Sequence, residues 1–206
     1  MTRTSTSSWA SYRESIGDRS PMFAAIADAW DVADALYPGC YLDLSPSTAI
    51  RSVTYVDTDR RAARYFADSG LVEAELAGTR TGSADGIRFL HADYTTPLPV
   101  PDEAFDLLIS LYAGPVWEHC RRYLRPGGLL VANTSHGDAS LAALDPDLTL
   151  VAAVQHRGGR YRLDTTGLDR YLVPRKPSEA DPDRIRDRGR GISYTRSAFA
   201  YVFLRT

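Results

Sequence analysis

Cysteine is scarce in this 206-residue chain. The two present, Cys40 and Cys120, lie far apart and outside any CxxC or Cys/His spacing. A disulfide framework and a zinc site therefore find no support, and the pair reads as reduced thiols of a cytoplasmic protein. Long apolar runs are also missing, so no segment is expected to span a membrane. The first residues, MTRTSTSSWASYRES, are rich in Ser and Thr and have no apolar core, which argues against a signal peptide. Charge of one sign is lacking too: the net charge is −2, with the arginines scattered among acids, so nucleic acid is not an expected partner. A homo-oligomer stays open. A hydrophobic content of 44% is enough for one good core.

The chain divides into a polar segment, 1–19, expected to be a flexible tail, and one domain, 20–206. Trp9 and Tyr12 are the tail's two aromatic residues and the ones able to pack back onto the domain. Ser20-Pro21 reads as a helix start, with Phe23, Ile26, Trp30 and Ala33 at helical spacing. Apolar runs at 35–37, 53–56, 87–90, 105–110 and 129–132 read as strands, and helical patterns alternate with them. Such alternation predicts a doubly wound, Rossmann-like α/β fold: a mostly parallel sheet with helices on both faces. Two further strands, 148–156 and 198–204, bring the expected total to seven. The segment 174–196, PRKPSEADPDRIRDRGRGISYTR, reads as a mobile insertion or as a lid, with Arg184, Arg186 or Arg188 meeting an anionic substrate.

One pattern bears on function. Gly39 ends the first strand, and Asp57 closes the second. A glycine turn followed by an acid at the next strand end is how nucleotide-binding α/β domains hold a ribose. The plainer alternative makes Asp57 a turn residue. Asp93, after the third strand, is a candidate of the same type, with an Asx turn as its alternative.

Over roughly residues 21–156, with 198–205 as the closing strand, the chain resembles the class I S-adenosylmethionine-dependent methyltransferases, most specifically in its second half. The residues that carry the resemblance are FDLLISLYAG, a helix, and YLRPGGLLVAN, in which Leu124-Arg125-Pro126-Gly127-Gly128 matches the family's turn into strand five. HADYTTPLPVPDEAFDLL matches its run from strand three to strand four. The resemblance implies S-adenosylmethionine as cofactor and methyl transfer to a small molecule. It also implies cofactor contacts from Gly39, Asp57 (ribose), Asp93 (adenine amine), Tyr94 (adenine face) and Ser110. The family's acid-x-Gly-x-Gly-x-Gly loop falls on Tyr37, Gly39, Tyr41 and Asp43, where only Gly39 agrees. A non-catalytic protein of the same fold, binding another ligand or a protein, therefore stays open as the alternative. A nicotinamide-dependent enzyme ranks third.

No catalytic signature is complete. Tyr112 stands where a substrate-facing residue is expected after strand four. His136, after strand five, is the candidate general base, with a plain loop histidine as its alternative. His91, His119 and His156 read as structural or surface residues.

Overall fold

The computed structural model of the chain describes residues 8–206; residues 1–7 of the expected tail lie outside the described residues. Five apolar runs pair in parallel. β1 (Asp34–Pro38) lies between β2 (Ser52–Asp57) and β4 (Phe105–Ser110), with β3 (Ile87–His91) outside β2 and β5 (Leu124–Ala132) beyond β4. Three more strands extend this sheet through antiparallel pairings: β8 (Ala200–Arg205) pairs with β5 and with β6 (Leu148–Arg157), and β7 (Arg160–Asp164) pairs with β6, so that β6 runs with the five parallel strands while β8 and β7 run against them. The order is β3-β2-β1-β4-β5-β8-β6-β7. Chain direction around the sheet reverses between β1 and β4, which opens a crevice at their carboxyl ends, the usual ligand position in open α/β sheets.

The sheet has eight strands where seven were expected. The additional one, β7, follows β6 through Gly158 and Gly159, both at positive φ (57° and 73°), the backbone that tight hairpins require. Its sequence, Arg-Tyr-Arg-Leu-Asp, is too charged to read as a strand without its partner.

Strand alternation divides the core in two. Ala35, Tyr37, Leu107 and Ile109 face one side, and Leu36, Phe105 and Leu108 face the other. On the first side α2 (Ser20–Trp30) buries Met22, Phe23 and Ile26, each stabilising the fold by roughly 1.5–3 kcal/mol. α3 (Arg60–Phe66) and α4 (Ser69–Leu76) add Ala62, Tyr65, Val72 and Leu76. On the second side lie α5 (Val116–Cys120), which contributes Val116, Trp117 and Cys120, and α6 (Asp138–Ala142). α2 ends three residues before the expected Ala33, because Asp31 adopts a left-handed C-cap (φ 49°) that frees the chain to enter β1.

Asp106, at the start of β4, gathers three segments at the opposite end of the sheet. Its Oδ2 accepts the Ala33 and Asp34 N–H groups at 2.9 Å, and its Oδ1 accepts Arg125 Nε at 2.6 Å. The Leu-Arg-Pro-Gly-Gly turn is thereby fixed to the sheet it feeds.

The expectation of a tail to residue 19 is corrected. Residues Trp9–Ile16 form α1, capped by Ser8, whose side chain accepts from Ser11 N–H. Both Glu75 oxygens of α4 also accept α1 N–H groups, from Trp9 at 3.0 Å and Ala10 at 3.1 Å, while Tyr65 donates to the same carboxylate at 2.5 Å. Trp9 is 1% exposed and belongs to the first core. A lone tryptophan in a polar stretch shows no periodicity, so the docking was invisible in the sequence. The insertion is likewise structured. α7 (Pro182–Arg188) buries Ile185 against Leu141, Ile192 and Tyr194. Arg186 pairs with Glu118 (2.5 Å) and Asp183 (2.8 Å), and Arg184 donates to the Ser178 carbonyl.

Trp9→Ala should therefore cost about 3–5 kcal/mol. At roughly 2–4 °C per kcal/mol for a chain of this size, calorimetry would register a drop on the order of 10 °C. An unchanged melting temperature would return α1 to the status of a tail.

Candidate functional site

Loops from four strands converge on the crevice. Gly39 turns at φ +66°, with its N–H donating to the Val56 carbonyl at 2.8 Å. A Cβ on Gly39 would stand 2.5 Å from the Ala113 Cβ and 3.7 Å from the Tyr94 ring. Glycine is required here both for its backbone conformation and for this close approach. Tyr94 OH donates to the Gly114 carbonyl at 3.1 Å, and burial raises its pKa. A Cβ on Gly114 would meet the His136 Cβ at 2.8 Å, so the loops after β4 and β5 touch. Asn133 joins the same two loops: its Oδ1 accepts the Tyr112 N–H at 3.4 Å and the Ser135 N–H at 3.3 Å. The structure thus brings together Gly39, Tyr94, Tyr112 and His136.

Asp57 stands half-buried at the carboxyl end of β2. Its Oδ2 accepts the Tyr41 N–H at 2.7 Å and its Oδ1 accepts the Asp59 N–H at 2.8 Å. The carboxylate therefore holds the β1 loop in place, and each oxygen keeps a further lone pair for a ligand. Tyr41 occupies a left-handed conformation (φ 47°) in the position matched to a family glycine, and its ring meets Tyr12 edge-on at 5.0 Å.

Asp43, also matched to a glycine, is fully buried. It accepts Arg19 Nη1 at 2.8 Å, Tyr37 OH at 3.0 Å and the Ser45 N–H at 3.1 Å. Burial, then the Asp43 charge, pushes the Tyr37 pKa well up. Burial alone would lower the Arg19 pKa; Tyr37 and Asp43 more than offset it. Arg19 itself is only 4% exposed, with the Tyr112 ring stacked 4.8 Å from its guanidinium carbon. Sequence reasoning placed Arg19 in the tail and missed it; nothing local marks an arginine as the partner of an aspartate beyond the next helix and strand.

Other candidates occupy plainer positions. Asp93 is exposed, and its Oδ1 accepts the Thr95 N–H (2.9 Å) and hydroxyl (2.7 Å), an Asx turn that also holds its pKa low. Ser110 is buried, its hydroxyl donating to Asp138 Oδ2. That oxygen also accepts the Val116 N–H at 2.9 Å and the Trp117 N–H at 3.2 Å, so Asp138 anchors the start of α5. Tyr112 is 49% exposed at φ +59°, and His136 is exposed, its Nδ1 sharing a 3.0 Å bond with the Ser135 hydroxyl.

A cleft of about 390 Å³ lies elsewhere, lined by α5, α7 and the chain after α6, including Trp117, Glu118, Leu144 and Arg186. None of Gly39, Asp57, Asp93, Tyr94, Ser110, Tyr112 and His136 lines it; of the candidate residues only Arg186 does. The strand-end crevice, with its converging loops, is the better-founded site.

No family model and no curated protein matches the chain. Solved structures do. A Staphylococcus aureus protein described as a caffeoyl-CoA O-methyltransferase shares 13% identity over 96% of this chain and 90% of its own, with a TM-score of 0.50. The N-methyltransferase NodS of Bradyrhizobium japonicum shares 14% identity over 96% of both chains, with a TM-score of 0.49.

Two outcomes follow from the buried carboxylates. Asp43→Ala leaves Arg19 buried without its counter-charge and should cost about 3–5 kcal/mol of stability. Burial raises the Asp138 pKa, although Ser110, Trp117 and Val116 pull it down. The folded state thus binds the Asp138 proton more tightly than the unfolded chain, whose value is ~3.9. This contribution is complete below that value and is lost as pH rises through the folded pKa. Asp138→Asn keeps an acceptor oxygen and does not titrate. Denaturation at several pH values should therefore show native stability falling relative to Asp138→Asn as pH rises; a constant difference would contradict it.

At these identities the solved structures speak to architecture, and with the strand order and crevice they identify the chain's fold as that of the class I S-adenosylmethionine-dependent methyltransferases.

Proposed function

We propose that the chain transfers a methyl group from S-adenosylmethionine to a small-molecule acceptor. The observation that carries this reading is Asp57, an acceptor-only carboxylate at the end of β2, beside the switch between β1 and β4, with lone pairs still open. Its chemistry suits a ribose diol. Asp93 stands beyond the end of β3, the strand paired with β2, and its Oδ2 suits an exocyclic amine. Tyr94, whose ring lies 3.7 Å from where a Cβ on Gly39 would stand, offers an aromatic face. The acceptors and the aromatic face at this end of the sheet suit the adenosine half of the cofactor. When bound, the cofactor supplies an activated methyl group on a sulfonium.

The chain's own residues then position the acceptor, which accounts for most of the acceleration in such a transfer. Tyr112 and His136 flank the crevice on loops that Asn133 holds together. With Nδ1 engaged by Ser135, His136 Nε2 is the nitrogen that takes a proton from an oxygen or nitrogen acceptor. A second reading, a non-catalytic protein of this fold with another ligand, draws on the Arg19–Asp43 pair, which fills the turn that glycines would leave open.

S-adenosylhomocysteine at ~100 times its dissociation constant should stabilise the protein by roughly 2.7 kcal/mol. Asp57→Ala should weaken that binding by about 1.5–3 kcal/mol. It should also destabilise the free protein, because the Tyr41 and Asp59 N–H groups lose their acceptor. Calorimetric titration separates the two effects. Absence of any nucleoside-dependent stabilisation would favour the second reading.

A further inference from the structure

The strand absent from the expected architecture, β7, brings a cluster of rings to the crevice. Because β6 runs with the parallel strands, its carboxyl end and the start of β7 lie at the same end of the sheet as Gly39, Asp57 and Tyr112. There His156, at the end of β6, and Tyr161, its partner on β7, stack with ring centres 4.3 Å apart and planes 12° apart. Phe199, just before β8, meets both rings edge-on, at 5.4 and 5.3 Å. Its N–H donates to the Val154 carbonyl at 2.8 Å, so the three strands hold the cluster as a unit.

Tyr161 joins the cluster to the site. β7 packs against α2, the helix that Arg19 precedes. Burial pushes the Tyr161 pKa up to about 12; Arg19 opposes the rise, and Tyr112 and Asp43 add to it, so these residues are its neighbours. Tyr112, on the loop after β4, is 49% exposed in a left-handed conformation, with its ring 4.8 Å from the Arg19 guanidinium carbon. Arg19 is paired with Asp43, so the two together bring no net charge to this wall. Each tyrosine thus has a fixed backing, His156 for one and Arg19 for the other. Tyrosine rings lose little freedom when a ligand packs on them, and they favour a planar aromatic partner beyond what buried area alone supplies. Exposed rings gathered at a crevice are a feature of ligand grooves.

We propose that the β6–β7 hairpin carries a ring-binding subsite, in which Tyr161 and Tyr112 take a neutral, planar aromatic group of the acceptor substrate. Naming the ring as the acceptor's rests on the methyl-transfer reading; the subsite itself does not.

The test uses the full chain and 2-naphthol, a neutral planar ring system, against decahydro-2-naphthol, its saturated counterpart. In protein labelled with 3-fluorotyrosine, the ¹⁹F resonances lost in Tyr161→Phe and in Tyr112→Phe are assigned to those residues. 2-Naphthol should shift both, and by titration should bind about tenfold tighter than the saturated alcohol. Tyr161→Leu should abolish that preference, whereas Tyr161→Phe, which keeps the ring, should preserve it. Should Tyr161→Leu not fold, Tyr112→Leu, at a half-exposed position, takes its place with the same expectation. S-adenosylhomocysteine should leave both shifts in place, since acceptor and cofactor occupy the crevice together. If it displaces 2-naphthol, the rings belong to the nucleoside's site and the proposal falls. If S-adenosylhomocysteine does not bind, the methyl-transfer reading fails alone, and the naphthol measurements still decide the subsite. Equal affinities for the two alcohols, a preference that survives in Tyr161→Leu, or resonances indifferent to 2-naphthol would also overturn it.

Discussion

The ion pair between Arg19 and Asp43 is the interaction on which the site end of the molecule depends. It joins the residue before α2, the loop after β1 and, through Tyr37, the strand itself. Taking both charges out of water is costly, and such pairs add little net stability over apolar residues of the same volume. What the pair contributes is uniqueness of arrangement, since any other path for the loop would leave one charge buried alone. With Asp43 fixed, Tyr41 must turn through a left-handed conformation, and its N–H is delivered to Asp57. The geometry of the ribose-binding candidate is thus a consequence of a charge pair that no local pattern foretells.

Aspartates serve repeatedly here as staples between segments. Asp57 binds the β1 loop, Asp106 binds the entries to β1 and β5, and Asp138 binds the end of β4 to the start of α5. In each case one carboxylate satisfies backbone or side-chain donors that no sheet ladder or helix reaches. Such groups would otherwise be orphaned near the core. The device explains why acids at strand ends are weak evidence for ligand binding by themselves. Asp57 closes β2 and Asp138 comes six residues after β5, but of the two only Asp57 stands at the strand-end crevice.

The parallel half of the sheet was legible because its strands are buried on both faces and so appear as uninterrupted apolar runs, 53–56 and 105–110 most clearly. Helices with one apolar stripe, such as α2, were legible for the same kind of reason. β7 was not, since its charged residues make sense only beside β6. α1 was not, because its place depends on Glu75, far along the chain. Within the site, Gly39 and Asp57 stood out by their spacing, while Arg19, Asn133 and Asp138 act through partners that folding alone brings near. Local pattern reveals which faces are buried; it does not reveal which polar groups meet.

The segment after β7 shows how such meetings shape the crevice wall. Its two ends are joined where Arg175 N–H donates to the Ser193 carbonyl and Thr195 N–H to the Val173 carbonyl. Between them the chain returns to the loop after β5, where Gly191 N–H donates to the Thr134 carbonyl and Ile192 N–H to the Ser140 hydroxyl. The arginines read as substrate contacts are engaged locally, Arg186 with Glu118 and Asp183, so their charges brace the strap against α5. His136 therefore sits on a loop held from both sides, by Asn133 toward β4 and by the strap toward α7. Such bracing fits the proton-accepting role proposed for His136, and it leaves Tyr112 half-exposed on the facing loop.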